Sequence, residues 1–148
     1  MTTRQNRGVT LLELLIVLVL MGLIAAMTIP IFGSGVSSTE LKSAAREVAA
    51  GLRLARSQAI AQRTESVLVF DVAARAFNIP PDTRVHTISP HIDMKLYTAQ
   101  RDIVADNVGA IRFYPDGGSN GGRVTLAAGE RKFDVDVDWL TGRVAILE

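Results

Sequence analysis

The sequence predicts an α+β fold: a long N-terminal helix followed by an antiparallel β domain. Three observations predict it. An apolar run extends from Leu11 to Phe32, broken by one charge at Glu13. A second stretch carries Leu41, Ala45, Val48, Leu52, Ala55 and Ala59 at alternating spacings of four and three, one stripe of a helix. From Ser66 onward, short runs of β-branched and aromatic residues alternate with turn residues. The 148 residues leave room for one anchor and one domain of roughly 110 residues with a single core.

Met1 to Arg7 forms a short basic leader with Arg4 and Arg7 and no acid. From Leu14 to Phe32 the apolar run, softened only by Gly22, Thr28 and Pro30, spans about 30 Å as a helix, the thickness of a bilayer core. Positive charge ahead of it keeps the N-terminus cytoplasmic and sends the rest across. A cleaved secretory signal is a poorer reading, because the run continues past the small residues Ala25 and Ala26. Glu13 is the anomaly. An ionised carboxylate near the bilayer core costs roughly 2.5–3.5 kcal/mol. No basic residue occurs between Glu13 and Lys42. Glu13 therefore takes a partner from outside the chain, or snorkels to the wet cytoplasmic interface.

Pro30 and Gly33-Ser34-Gly35 are expected to bend or loosen the chain just past the membrane. Ser37-Ser38-Thr39 supplies the caps of the second helix. Lys42, Arg46, Arg53, Arg56 and Arg63 lie largely off its apolar stripe, as a solvated face or as a surface for acidic partners. Strands are predicted at Val67–Phe70, Phe77–Ile79, Ile92–Tyr97, Ala110–Tyr114, Arg123–Ala127, Lys132–Trp139 and Arg143–Leu147. Pro80 to Pro90 reads as a mobile loop, and Thr141-Gly142 as the turn of the last hairpin.

The candidate chemistry is sparse. Asp134, Asp136 and Asp138 alternate with Phe133, Val135, Val137 and Trp139, which places the acids on one strand face and the apolar residues on the other. Calcium binding needs convergent ligands, whereas a straight strand spreads them about 7 Å apart. A solvated face is the better reading, and no metal site is assigned. Gly117-Gly118-Ser119-Asn120-Gly121-Gly122 lacks the Lys-Ser/Thr ending of a phosphate loop and leads into a strand, so it reads as an exposed hairpin connection. His86 and His91, with Asp82 and Asp93 nearby, match neither a metal helix nor a nucleophile–base pair. Cysteine is absent, so an exported domain is held by its core alone. No catalytic machinery and no cofactor site is legible. A net charge of +1 gives no overall pull toward nucleic acid.

Gly8-Val9-Thr10-Leu11-Leu12-Glu13 resembles the type IV prepilin signal, a glycine, usually phenylalanine, then Thr-Leu-Leu/Ile-Glu. The resemblance implies that a prepilin peptidase cuts between Gly8 and Val9 on the cytoplasmic face and methylates the new N-terminus at Val9. The apolar helix stays on the mature chain. Val9 departs from the usual phenylalanine. The resemblance also implies a partner for Glu13: the free N-terminal amine of a neighbouring subunit, which sets register in a filament. Leu52-Arg53-Leu54-Ala55-Arg56-Ser57-Gln58-Ala59-Ile60, the segment Ile111 to Leu126 and Thr141-Gly142-Arg143-Val144 are similar to general secretion pathway protein H and its relatives. These are the minor pseudopilins of type II secretion, a family that also contains the FimT-like minor pilins. Val72 to Asn107 matches nothing nameable.

The family implies a pilin-like architecture. It comprises a leader at 1–8, a transmembrane and filament-core helix at 9–32, a periplasmic continuation at 33–65 and a β-rich periplasmic domain at 66–148. It implies a single-pass inner-membrane protein. Its partners would be other pseudopilins, major and minor, near the tip of a periplasmic filament that exports folded proteins. Glu13 argues against the extreme-tip subunit, which characteristically lacks this acid. The alternative within the family is a FimT-like minor pilin of a type IV pilus, serving pilus assembly or DNA uptake. DNA is the weaker expectation. Arg123, Arg131, Lys132 and Arg143 are interleaved with Asp134, Asp136, Asp138 and Glu148 instead of forming a concentrated patch.

Overall fold

In the computed structural model, residues 10–27 and 36–148 are described. They fall into two compact units, divided after Ser34. Gly8, Val9 and the Pro30 to Gly35 breakers lie outside the described residues.

The first unit is helix α1, Leu11–Met27. Thr10 starts it: its hydroxyl accepts the Glu13 N–H at 3.2 Å, and its carbonyl accepts the Glu13 and Leu14 N–H groups. Seventeen residues make about 26 Å of helix. No helix among the described residues is long and apolar enough to cross a membrane, and residues 28–32 of the predicted span lie outside that set.

The second unit opens with α2, Ser38–Gln62. Ser37 is its N-cap, accepting the Glu40 N–H at 3.1 Å. All six predicted stripe residues are buried, joined by Ala44 and Ala49. The small alanines bring the helix close to the strands behind it.

Nine strands follow: β1 Ser66–Asp71, β2 Ala76–Asn78, β3 His86–Thr87, β4 Asp93–Thr98, β5 Ile103–Ala105, β6 Val108–Phe113, β7 Gly122–Ala128, β8 Arg131–Val137 and β9 Val144–Leu147. They form two antiparallel sheets, ordered β3-β2-β1-β6-β5 and β4-β7-β8-β9. Every predicted strand exists within a few residues. The short β3 and β5, and a 3₁₀ turn at Gln100–Asp102, were not expected. β3 lies inside the predicted mobile loop, where His86 pairs with Phe77 across to β2 and Ile88 is buried.

The period-two alternation selects the core. Leu68 and Phe70 of β1, Ile111 and Phe113 of β6, Val124 and Leu126 of β7, and Val135 of β8 are all fully buried against Leu41, Val48 and Leu52 of α2. Where β4 crosses β6, Gly109 permits the approach. A Cβ there would sit 2.7 Å from the Leu96 methyl, and beside it the Thr98 hydroxyl donates to the Ala110 carbonyl at 2.6 Å.

Candidate functional site

Glu13 lies in the first turn of a helix whose side chains from Leu11 to Ile24 are all exposed in the single chain, and all apolar except Glu13 and Gly22. A helix apolar on every side is built for burial in a membrane or in a bundle of like helices. The carboxylate has no hydrogen-bond or ion-pair partner among the described residues. Helix initiation uses only the Glu13 backbone, so the side chain is available for a contact beyond this chain.

In the β domain, sequence reasoning missed a buried polar cluster. Asp102 ends the 3₁₀ turn with its side chain 1% exposed. Its Oδ1 accepts from Arg112 Nη2 at 2.8 Å and Nε at 3.2 Å; its Oδ2 accepts from Asn120 Nδ2 at 2.7 Å. Arg112 also reaches Glu65 at 2.7 Å. Burial pushes the Asp102 carboxyl up. The hydrogen bonds from Arg112 and Asn120, with the charges of Arg112 and Arg101, outweigh it and hold the carboxyl below the ordinary range. The available signal was Arg112 itself, a charge set between the core residues Ile111 and Phe113.

The same cluster corrects the reading of the Gly117–Gly122 segment. It is a packed turn, with Gly117, Gly118, Ser119 and Gly121 all buried. The Asn120 side-chain oxygen Oδ1 accepts the Arg112 backbone N–H at 2.9 Å, and the Ser119 hydroxyl donates to the Arg112 backbone carbonyl at 2.7 Å. A strand, β7, follows it, so no helix N-terminus is offered to a phosphate.

The aspartate row is also corrected. Asp134 and Asp136 do share the outer face of β8, where Thr125 donates to Asp134 at 2.6 Å and Arg123 to Asp136 at 2.9 Å. Asp138 has left the strand. Its Oδ1 accepts the Thr141 N–H at 2.8 Å and the Thr141 hydroxyl at 2.7 Å, which lowers its pKa. Alternation therefore stops at Val137, and Trp139, expected on the apolar face, is exposed. Among the described residues, no three His, Cys, Asp or Glu side chains are placed to hold a metal ion.

His86 stacks on Phe77 with ring centroids 5.0 Å apart, and its Nδ1 lies 3.0 Å from Glu47 of α2. This clamps β3 to the helix. His91 is exposed on the loop before β4. Arg53 and Arg56 depart from the expectation of a simply solvated face. Arg53 donates to the Val144 carbonyl at 3.2 Å, and Arg56 donates to the Gly117 and Thr141 carbonyls at 3.0 and 2.9 Å. Lys42, by contrast, makes only an exposed pair with Glu148 at 3.4 Å, which contributes little.

Residues 44–141 match the family described as Type II transport protein GspH. Residues 3–29 match the prokaryotic N-terminal methylation motif, a stretch that contains Gly8, Val9 and Glu13. The Type II secretion system protein H of Xanthomonas campestris pv. campestris is 35% identical over 142 residues, covering 95% of this chain and 83% of the relative. The minor pseudopilin EpsH from the type 2 secretion system of Vibrio cholerae shares the fold with a TM-score of 0.58 at 13% identity, over 73% of this chain and 96% of EpsH. The type IV minor pilin FimU of Pseudomonas aeruginosa does so with a TM-score of 0.57 at 18% identity, over 74% of this chain and 90% of FimU. At these identities the two structures speak for the fold.

Proposed function

The chain belongs to the family of Type II transport protein GspH, and from that membership we propose that it is a structural minor pseudopilin of type II secretion. One observation carries the reading: a prokaryotic methylation motif and a GspH domain follow one another in a single chain.

The residues then take their roles in sequence. The basic leader holds the N-terminus on the cytoplasmic side of the inner membrane, and the apolar run from Leu14 to Phe32 crosses it once. Prepilin peptidase cuts between Gly8 and Val9, and Val9 is methylated. The mature chain waits in the membrane with its β domain in the periplasm. On extraction, the residues after Val9 pass from lipid into a bundle of equivalent helices, which buries the apolar surface of α1 a second time. Glu13 pairs with the N-terminal amine of the neighbouring subunit, a charge neutralisation that fixes axial register. The β domain meets other pseudopilins near the filament tip. This role asks for surfaces and a register device, and no bond-making step is assigned to any residue.

The fold likeness to FimU is nearly as good as that to EpsH, which keeps a second reading in view: a FimT-like minor pilin serving pilus assembly or DNA uptake. Deleting the chain separates the two. The expected result is loss of secreted enzymes from the culture supernatant and their accumulation in the periplasm, restored by the wild-type chain. Normal secretion with defective piliation or DNA uptake would replace the first reading with the second.

A further inference from the structure

The turn between β8 and β9 exposes two large apolar side chains together, Trp139 at 67% and Leu140 at 66%. The turn is fixed from several sides. Asp138 caps it through Thr141, and the Gly142 N–H donates to the Asp138 carbonyl at 2.8 Å. The Ser119 N–H donates to the Trp139 carbonyl at 2.9 Å, and Arg56 ties the Thr141 carbonyl to α2. Gly142 has φ +61°, and a Cβ there would run into the Gly117 carbonyl and Arg56. A well-anchored turn that leaves Trp and Leu in water has the make-up of an interface centre: a pre-ordered apolar anchor that loses little entropy on contact.

Beside it lies a concavity of about 650 Å³ lined by Arg53, Arg56, Arg143 and Asp138. Arg53 and Arg56 are held by backbone carbonyls, and none of the three arginines has a carboxylate within ion-pair distance among the described residues. Asp138 is the one acid in the concavity, and its Oδ1 is taken by Thr141. Three cations thus face one engaged anion. Trp139 itself borders a neighbouring concavity where Arg123 pairs with Asp136 and Lys132 with Asp134, so the uncompensated charge beside the turn is that of Arg53, Arg56 and Arg143, which a carboxylate-bearing segment would complement.

We propose that this turn docks an acidic segment of a different subunit in the same filament. Trp139 and Leu140 form the apolar centre, and Arg53, Arg56 and Arg143 form the charged flank. The inference rests on the filament reading above. A symmetric contact centred on this flank is disfavoured, since residues on the two-fold axis of an isologous interface meet their own copies and these arginines would face each other. Duplex DNA is disfavoured as well, because phosphate recognition gains nothing from the apolar centre.

The test uses the full-length chain co-expressed with the host's other pseudopilins and captured in mild detergent. Trp139→Ala and Arg143→Glu should each lower the recovered partner pseudopilin at least about tenfold, with the domain's melting temperature unchanged. Arg143→Lys should retain most of the capture. A photo-crosslinker at position 140 should join the chain to an acidic stretch of that partner. Undiminished capture in both variants overturns the proposal. So does a crosslink to a second copy of this chain, or salt-sensitive retention of duplex DNA lost in Arg143→Glu. If Glu13→Ala abolishes secretion while both turn variants secrete normally, the filament reading stands and this inference alone fails.

Discussion

Glu13→Ala is expected to be inserted and cleaved like the wild-type chain and to fail at assembly. Secretion should fall to the level of a strain lacking the chain. The structure separates these two steps. Thr10 starts α1 through the Glu13 backbone N–H, which alanine retains, so the helix should form normally. Only the carboxylate is lost, and no described residue depends on it. Its proposed partner, the amine of a neighbouring subunit, would then enter an apolar bundle unpaired. Removing one member of a buried ion pair costs about 3–5 kcal/mol, or on the order of a hundred- to several-thousandfold in an assembly equilibrium. Glu13→Gln should fail similarly, because it keeps the shape and removes the charge. The measurement is the supernatant level of secreted enzymes alongside the mass of the processed subunit. Full secretion by Glu13→Ala would end the register role.

Arg112→Ala should cost the β domain much of its stability. It would leave Asp102, whose side chain is 1% exposed, with Asn120 and the more distant Arg101 at 3.4 Å. An under-compensated buried carboxylate places the loss at about 3 kcal/mol, and the melting temperature should drop by roughly 10–20 °C. The pH dependence gives a second readout. Since the folded pKa of Asp102 is depressed, its contribution is full above the ordinary aspartate value of about 3.9 and is lost as pH falls through the lower, folded value. The wild-type domain should therefore weaken on acidification below about pH 4, and Arg112→Ala should lose much of that slope. Thermal melts between pH 2.5 and 7 would show it. An unchanged melting temperature at neutral pH would mean that the cluster contributes nothing to the fold.

The parts of the molecule governed by periodicity were legible. The stripe from Leu41 to Ala59 and the alternations in β1, β7 and β8 each reflect a burial requirement repeated every turn or every second residue. Ser37 could be placed as a cap because a short hydroxyl side chain before an apolar stripe has few better uses. What escaped was set by contacts distant in sequence. Asp102 is unremarkable among exposed loop acids until the fold brings Arg112 and Asn120 around it. Arg53 and Arg56 read as surface charges because their acceptors are backbone carbonyls some 60 to 90 residues away. Trp139 was read as an inward strand residue, and a single side-chain cap at Asp138 reversed it. Of the proposed register device, Glu13 stood out by its cost in an apolar run. The partner proposed for it belongs to another subunit, which no single chain displays.

The most direct test of the account is the mass of the N-terminus of the chain purified from its host's membranes. A mature protein that begins at Val9, carries an N-methyl group and retains the apolar run is the expected result. An intact Met1, or a start beyond Ala26, would contradict it: the first would leave an ordinary membrane anchor, and the second would remove Glu13 and α1 from the working protein.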